Sequence, residues 1–99
     1  MSTEQDILKS NRVIAVVGLS PDPERPSFRV ASYLKEQGYI IIPVNPTADK
    51  ILGEISYPDI KSIPIPVDVV DIFRRSEEVP AIVEDAIKIK VKAVWMQKV

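Results

Sequence analysis

The apolar positions of this chain fall into two kinds of run. Val13-Ile14-Ala15-Val16-Val17 is apolar without alternation and stops at Gly18, the pattern of a short strand buried on both faces. Tyr39 to Val44 repeats it, with Pro43 near its end and Asn45-Pro46 closing it. Val67-Asp68-Val69-Val70-Asp71-Ile72-Phe73 and Ala93-Val94-Trp95-Met96-Gln97 supply a third and a fourth strand. Between the strands the spacing changes. Phe28, Ala31 and Leu34 recur at helical intervals within Pro26 to Gln37, where Pro26 suits a first helical turn and Gly38 a stop. Val79, Ile82, Val83, Ala86 and Ile87 predict a second helix, capped by Ser76. Glu77 and Glu78 would face its N-terminal dipole, with Lys88, Lys90 and Lys92 near its C-terminal end.

Three stretches are less regular. Leu19 to Arg25 carries Pro21 and Pro23 and reads as a loop. Thr47 to Pro66, with Pro58, Pro64 and Pro66 around Ile51-Leu52 and Ile55 to Tyr57, predicts a turn of helix and a short extended segment. Ser2-Thr3-Glu4-Gln5 fits a capping box and predicts a short helix to about Ser10, docked by Ile7 and Leu8. Buried strands alternating with amphipathic helices predict an α/β fold. The expectation is one Rossmann-like domain over residues 1–99: a doubly wound parallel sheet in three α/β/α layers, with right-handed crossovers and strand order 3-2-1-4. In such sheets, connections that depart to opposite sides open a crevice at the C-terminal ends of the strands, where ligands bind.

Composition narrows the chemistry. A chain of 99 residues is one domain, so binding and any regulation share a single scaffold. The hydrophobic fraction of 45%, the charged fraction of 27% and a formal charge of -1 give no global attraction for nucleic acid. No stretch approaches the roughly 18 apolar residues of a membrane span, and the polar start lacks the regions of a signal peptide, so a cytoplasmic protein is expected. The chain has no Cys and no His, which removes thiol nucleophiles, disulfides, imidazole or thiolate metal sites, and Ser-His or Cys-His dyads. The carboxylates are scattered and form no calcium-loop spacing. Asp68 and Asp71, three apart on a strand, face opposite sides and read as structural.

Four segments leave the ends of strands and converge on the predicted crevice: Gly18-Leu19-Ser20, Val44-Asn45-Pro46, Phe73-Arg74-Arg75 and Met96-Gln97. Gly18 lets backbone approach a ligand closely, and the loop after it feeds a helix whose N-terminal amides attract phosphate. Ser20 and Ser27 add hydroxyls; Arg25 and Arg29 add charge. The plainer reading is that Gly18 only turns the chain and the Pro-rich loop only stiffens it. Gly18 lacks companions at the spacing of the dinucleotide fingerprint, and no acid ends the second strand to hold a ribose hydroxyl, which argues against NAD or FAD. Arg74 and Arg75 suit an anionic group or are solvated surface charges. Trp95 reads as a core aromatic more than a stacking platform. The lysines lack interleaved aromatics and read as a solvated margin.

Taken in order, Val17-Gly18-Leu19-Ser20 with Arg25-Pro26-Ser27, Pro43-Val44-Asn45-Pro46, Val67 to Arg75 and Val94-Trp95-Met96-Gln97 resemble the small CoA-binding protein family, related to the CoA-binding domain of the succinyl-CoA synthetase alpha subunit. The resemblance covers nearly the whole chain. It implies a site for coenzyme A or an acyl-CoA. Gly18, Leu19, Ser20, Arg25, Pro26 and Ser27 would surround the phosphates. Val44, Asn45 and Pro46 would line the nucleotide crevice, and Phe73 with Arg74 would flank the adenosine end. The 3′-phosphate gives a nearby Arg a role and agrees with the missing ribose carboxylate. Members of the family usually continue past the Trp-Met-Gln strand with a Gly, a helix and a final strand, so the fourth strand here is expected to be an exposed edge. That edge would pair with a second copy or a partner protein, or leave the domain less stable.

Three functions compete. The chain is a non-catalytic module that holds CoA as a carrier, sensor or regulatory subunit; or a CoA-presenting subunit of an acyl-CoA ligase-type enzyme; or an NAD-binding redox sensor. The absent nucleophile favours the first, and the broken fingerprint weighs against the third.

Overall fold

The computed structural model describes residues 12–97, and the helix expected to end near Ser10 lies outside them. Strand β1 (Val13–Val17) leads through the Pro-rich loop to helix α1 (Pro26–Glu36) and strand β2 (Ile40–Val44). A small antiparallel hairpin, β3 (Lys50–Ile51) and β4 (Glu54–Ile55), and a 3-10 turn at Ile60–Ser62 precede β5 (Val69–Ile72). A second 3-10 turn at Ser76–Glu78 runs into α2 (Val79–Lys88), and β6 (Ala93–Met96) follows.

The continuous apolar runs are explained by a sheet covered on both sides. Alternate residues of β1 point to opposite faces. Ile14 and Val16 pack with Ala31 and Leu34 of α1 and with Leu19, Ile41 and Val69. Ala15 and Val17 pack with Ile42, Val44, Val70, Ile72, Ala86 of α2 and Ile60 of the 3-10 turn. The result is the expected three-layer α/β/α, Rossmann-like architecture with a parallel sheet.

The strand order differs from the expected 3-2-1-4. The four long strands are arranged β2-β1-β5-β6, so the third long strand pairs with β1 rather than outside β2. Two features of the chain cause this. Pro43 takes its place in the ladder opposite Val16, and its carbonyl accepts from the Tyr57 N–H at 3.0 Å on the outer side, so its missing donor faces the edge. A Pro in that position marks an edge strand, where no ladder bond is lost. Tyr57 then runs along β2, its carbonyl accepting from the Asn45 N–H at 2.9 Å, and occupies the place a third strand would need. The chain returns across the α2 face, placing Ile60 in that core, and β5 enters on the free side of β1. The point where connections depart to opposite sides thus lies between β1 and β5.

Other local details were also re-cut by context. Ser76 does not cap α2: it opens the 3-10 turn, and no side chain caps either start. Pro80, which lacks an N–H, removes one of the donors a cap would serve. The segment 47–66 contains a hairpin whose two turn residues, Leu52 and Gly53, both have positive φ, 55° and 77°. Asp68 joins the other ends of the strands: it accepts from the Val13 N–H at 3.0 Å and faces Lys92 at 3.6 Å.

Asp71 is the exception in the core. It is 1% exposed, one oxygen accepts from Gln97 Nε2 at 3.0 Å, and the other has no partner. Burial pushes its carboxyl above the usual range, opposed by the smaller effect of the Gln97 hydrogen bond. Between the ordinary value of 3.8 and the raised one, the folded chain keeps a proton that the unfolded chain has lost, so stability falls as pH rises through that window. Asp71→Asn, which cannot ionise, is expected to raise the urea midpoint at pH 7, and the gain should shrink as the pH approaches 3.8. Urea titrations at both pH values check this; a variant less stable at pH 7 contradicts it.

Candidate functional site

At the C-terminal end of β1 three backbones meet. The Gly18 N–H donates to Val44 O at 2.9 Å, and the Phe73 N–H donates to Val17 O at 2.8 Å. Gly18 has φ +84°, and a Cβ placed on it would lie 2.6 Å from Phe73 O and 2.7 Å from Arg74 Cδ. A side chain at this position is therefore excluded twice, by backbone conformation and by space. The Arg74 stem lies across the bare glycine, and hollows open on both sides of it.

The hollow on the α1 side is the more polar of the two, with a volume of about 530 Å³. Gly18, Ser20, Arg25, Pro26 and Ser27 form one wall; Asn45, Phe73 and Arg74 form the other. Helix α1 begins at its rim with Arg25 extended, Pro26 in the first turn, no acid there and no capping side chain. Pro26 has no N–H and the Phe28 N–H donates to Arg25 O at 3.1 Å, so the helix dipole and the Ser27 N–H are what the first turn offers an anion. Ser27 is buried and its Oγ accepts from the Ser20 N–H at 3.0 Å; Ser20 Oγ in turn accepts from the Asp22 N–H at 3.0 Å. Each hydroxyl keeps its own proton available to donate. Arg25 is exposed.

The hollow on the α2 side is smaller, about 190 Å³, and mostly apolar. Val17, Val44, Pro46, Pro58, Ile60 and Ile82 line it, with Asp59, Glu78 and Asp85 among its polar groups. Gly18 and Arg74 belong to both hollows. Arg74 donates from Nη2 and Nε to Glu78 Oε1, at 2.8 and 3.2 Å. Those bonds hold the Glu78 carboxyl below the usual range, with the charges of Arg74 and Arg75 adding to the effect.

The residues singled out in the sequence are thus divided. Gly18, Ser20, Arg25, Pro26, Ser27, Asn45, Phe73 and Arg74 come together in the polar hollow. Val44 and Pro46 line the apolar one. Leu19 is wholly buried in the α1-side core and offers only backbone, its carbonyl accepting from Asn45 Nδ2 at 3.0 Å. Asn45 is engaged at both ends of its amide, since Oδ1 also accepts from the N–H and hydroxyl of Thr47. It fixes the two loops relative to each other.

Pro21 and Thr47 were not foreseen in the polar hollow, nor Pro58, Asp59, Ile60, Glu78, Ile82 and Asp85 in the apolar one. Two of these had a local signal. Thr47 stands two residues after Asn45, the spacing of an Asx turn, and Glu78 stands four after Arg74. Pro21 belongs to the loop after β1; the others come from the 45–68 excursion and α2, whose course depends on the strand order. Arg75 is exposed and faces Glu77 and Glu78 at 3.7 and 3.6 Å. Trp95 packs against the α1-side core. Among the described residues no helix is long and apolar enough to cross a membrane.

Comparison with known proteins adds a family. The family described as CoA binding domain matches residues 12–99. The Bacillus subtilis (strain 168) protein called Uncharacterized protein YneT is 42% identical over 94 residues, 95% of this chain and 70% of that protein. Acetate–CoA ligase (ADP-forming) II of Archaeoglobus fulgidus is 39% identical over 74 residues, 73% of this chain but 11% of the ligase. A solved structure, a hypothetical protein from Pyrococcus horikoshii OT3, matches with a TM-score of 0.89 at 42% identity, covering 95% of this chain and 68% of the other.

The glycine junction yields a direct test. Gly18→Ala should lower stability by ~1–3 kcal/mol for the left-handed backbone alone, and further for the contact with Phe73 O. Gly38→Ala is the control: Gly38 has φ +96°, but the nearest atom to its added Cβ is 4.0 Å away. Urea unfolding should show a larger loss for Gly18→Ala; equal losses would mean that the close approach contributes nothing.

Proposed function

The chain belongs to the CoA-binding domain family, and on that premise we propose that it binds coenzyme A or an acyl-CoA at the β1–β5 crevice without catalysing a reaction itself. One observation carries the reading. A bare glycine backbone, an uncapped helix start, two serines and two arginines line a single polar hollow. That set suits a diphosphate: backbone and dipole take the bridging phosphates, and Arg supplies paired charged donors. Gly18, Leu19, Ser20, Arg25, Pro26 and Ser27 would surround these phosphates, Leu19 through its backbone alone. Val44, Asn45 and Pro46 would border the nucleotide, and Phe73 with Arg74 its adenosine end, where the 3′-phosphate of CoA would meet the guanidinium.

The non-catalytic part rests on the side chains available. With no His or Cys in the sequence, a phosphohistidine or thioester route through this chain's own residues has no nucleophile. A second reading, presentation of CoA to a ligase-type partner, is favoured by the similarity to the Archaeoglobus fulgidus acetate–CoA ligase. The two share the site and differ in whether another protein uses the bound thiol.

Calorimetric titration of the purified chain with CoA, dephospho-CoA and NAD tests the site. CoA is expected to bind tightest, dephospho-CoA more weakly and NAD least. Arg25→Ala should weaken CoA binding by roughly tenfold, the value of a lost charged hydrogen bond. Equal affinity for NAD, or an unchanged affinity in Arg25→Ala, contradicts the assignment.

A further inference from the structure

The guanidinium best placed to reach both hollows is already occupied. Arg74 gives two hydrogen bonds to Glu78 Oε1, and Glu78 Oε2 lies 3.6 Å from Arg75 Nε, so one carboxylate sits between two arginines. Glu78 lines the apolar hollow and not the polar one, whereas Arg74 lines both. The carboxylate therefore draws the guanidinium toward α2, away from the start of α1. The stem cannot withdraw through the strand junction, because its Cδ packs on Gly18. What remains free is the orientation of the head group, and the Arg74 side chain is 42% exposed, so it has room to turn.

Resting on the coenzyme A reading, we infer that Glu78 is a built-in anionic competitor that holds Arg74 until a ligand phosphate displaces it. Glu78 thereby sets the affinity threshold of the site. An anionic ligand in the polar hollow gains the Nε–Nη2 edge of Arg74 only by breaking its bonds to Glu78, so part of the attraction is spent on the exchange. A neutral or weakly charged ligand cannot force that exchange and meets a guanidinium whose Nε–Nη2 edge is already taken. The device thus selects for ligands carrying a full phosphate charge near Phe73 and Arg74. Glu77 is the natural comparison: it faces Arg75 at 3.7 Å and has no bond to Arg74.

Titrations of wild type, Glu78→Gln, Glu77→Gln, Arg74→Ala and the double variant Arg74→Ala/Glu78→Gln with CoA and with pyrophosphate decide it. Thermal melts run alongside confirm that each is folded. Glu78→Gln should tighten CoA binding roughly two- to fivefold, the range spanned by exposed ion pairs. Glu77→Gln should leave it unchanged. Arg74→Ala should weaken it, and in that background the Glu78→Gln gain should vanish. The inference is overturned if Glu78→Gln binds CoA no better than wild type, if Glu77→Gln gains equally, or if the gain survives without Arg74. Tightening toward pyrophosphate with no CoA binding by any variant would keep the competitor and reject coenzyme A as the ligand. Binding of neither probe by any variant rejects both.

Discussion

The backbone of Phe73, as the chain leaves β5, passes so close to the end of β1 that residue 18 has no room for a side chain. The rest of the site depends on this contact. It requires β1 and β5 to be neighbours, and the parallel ladder from Ile14–Val69 to Val17–Ile72 makes them so. It brings the loop that leaves β5 against the loop that leaves β1, so that Arg74 crosses the glycine and borders two hollows of different polarity. A Cβ at that point would push these loops apart and separate the groups that now converge. The constraint is local, but the geometry it fixes joins segments more than fifty residues apart in the chain.

Much of this fold was legible as pattern. Strands buried on both faces leave continuous apolar runs, and the short β-branched run Val13 to Val17, closed by Gly18, carries that pattern. Helix α1 was equally plain, bounded by Pro26 and by Gly38. The order of the strands was not plain, because alternation of elements fixes handedness and leaves the direction of each crossover open. Pro43 held the missing information. A proline inside an apolar run demands a side without a partner strand, which makes β2 an edge and sends the next long strand to the other side of β1. The hairpin at Leu52-Gly53 had no such marker, since Leu is an unusual residue at positive φ and only the fold around it enforces the turn.

The candidate site was legible to the extent that it is made of strand ends. Residues that follow β1, β2 and β5 were placed together because parallel strands end at one edge. Side-chain commitments were not legible. Asn45 looks like a ligand donor in sequence, but its amide is engaged by Leu19 and Thr47. Glu78 looks like a charge set against a helix dipole, yet its bonds go to Arg74. The acidic and apolar wall of the smaller hollow comes from segments that reach the edge only because the chain recrosses the sheet after β2.

The loop between Gly18 and Pro26 has a further consequence for how any ligand would be held. Pro21, Pro23 and Pro26 fix three of its backbone angles, while Ser20 and Asp22 side chains tie the amides of Asp22 and Glu24. Such a segment has little conformational freedom left to surrender. Capturing a ligand against it would cost little ordering entropy, so modest contacts would suffice to hold it.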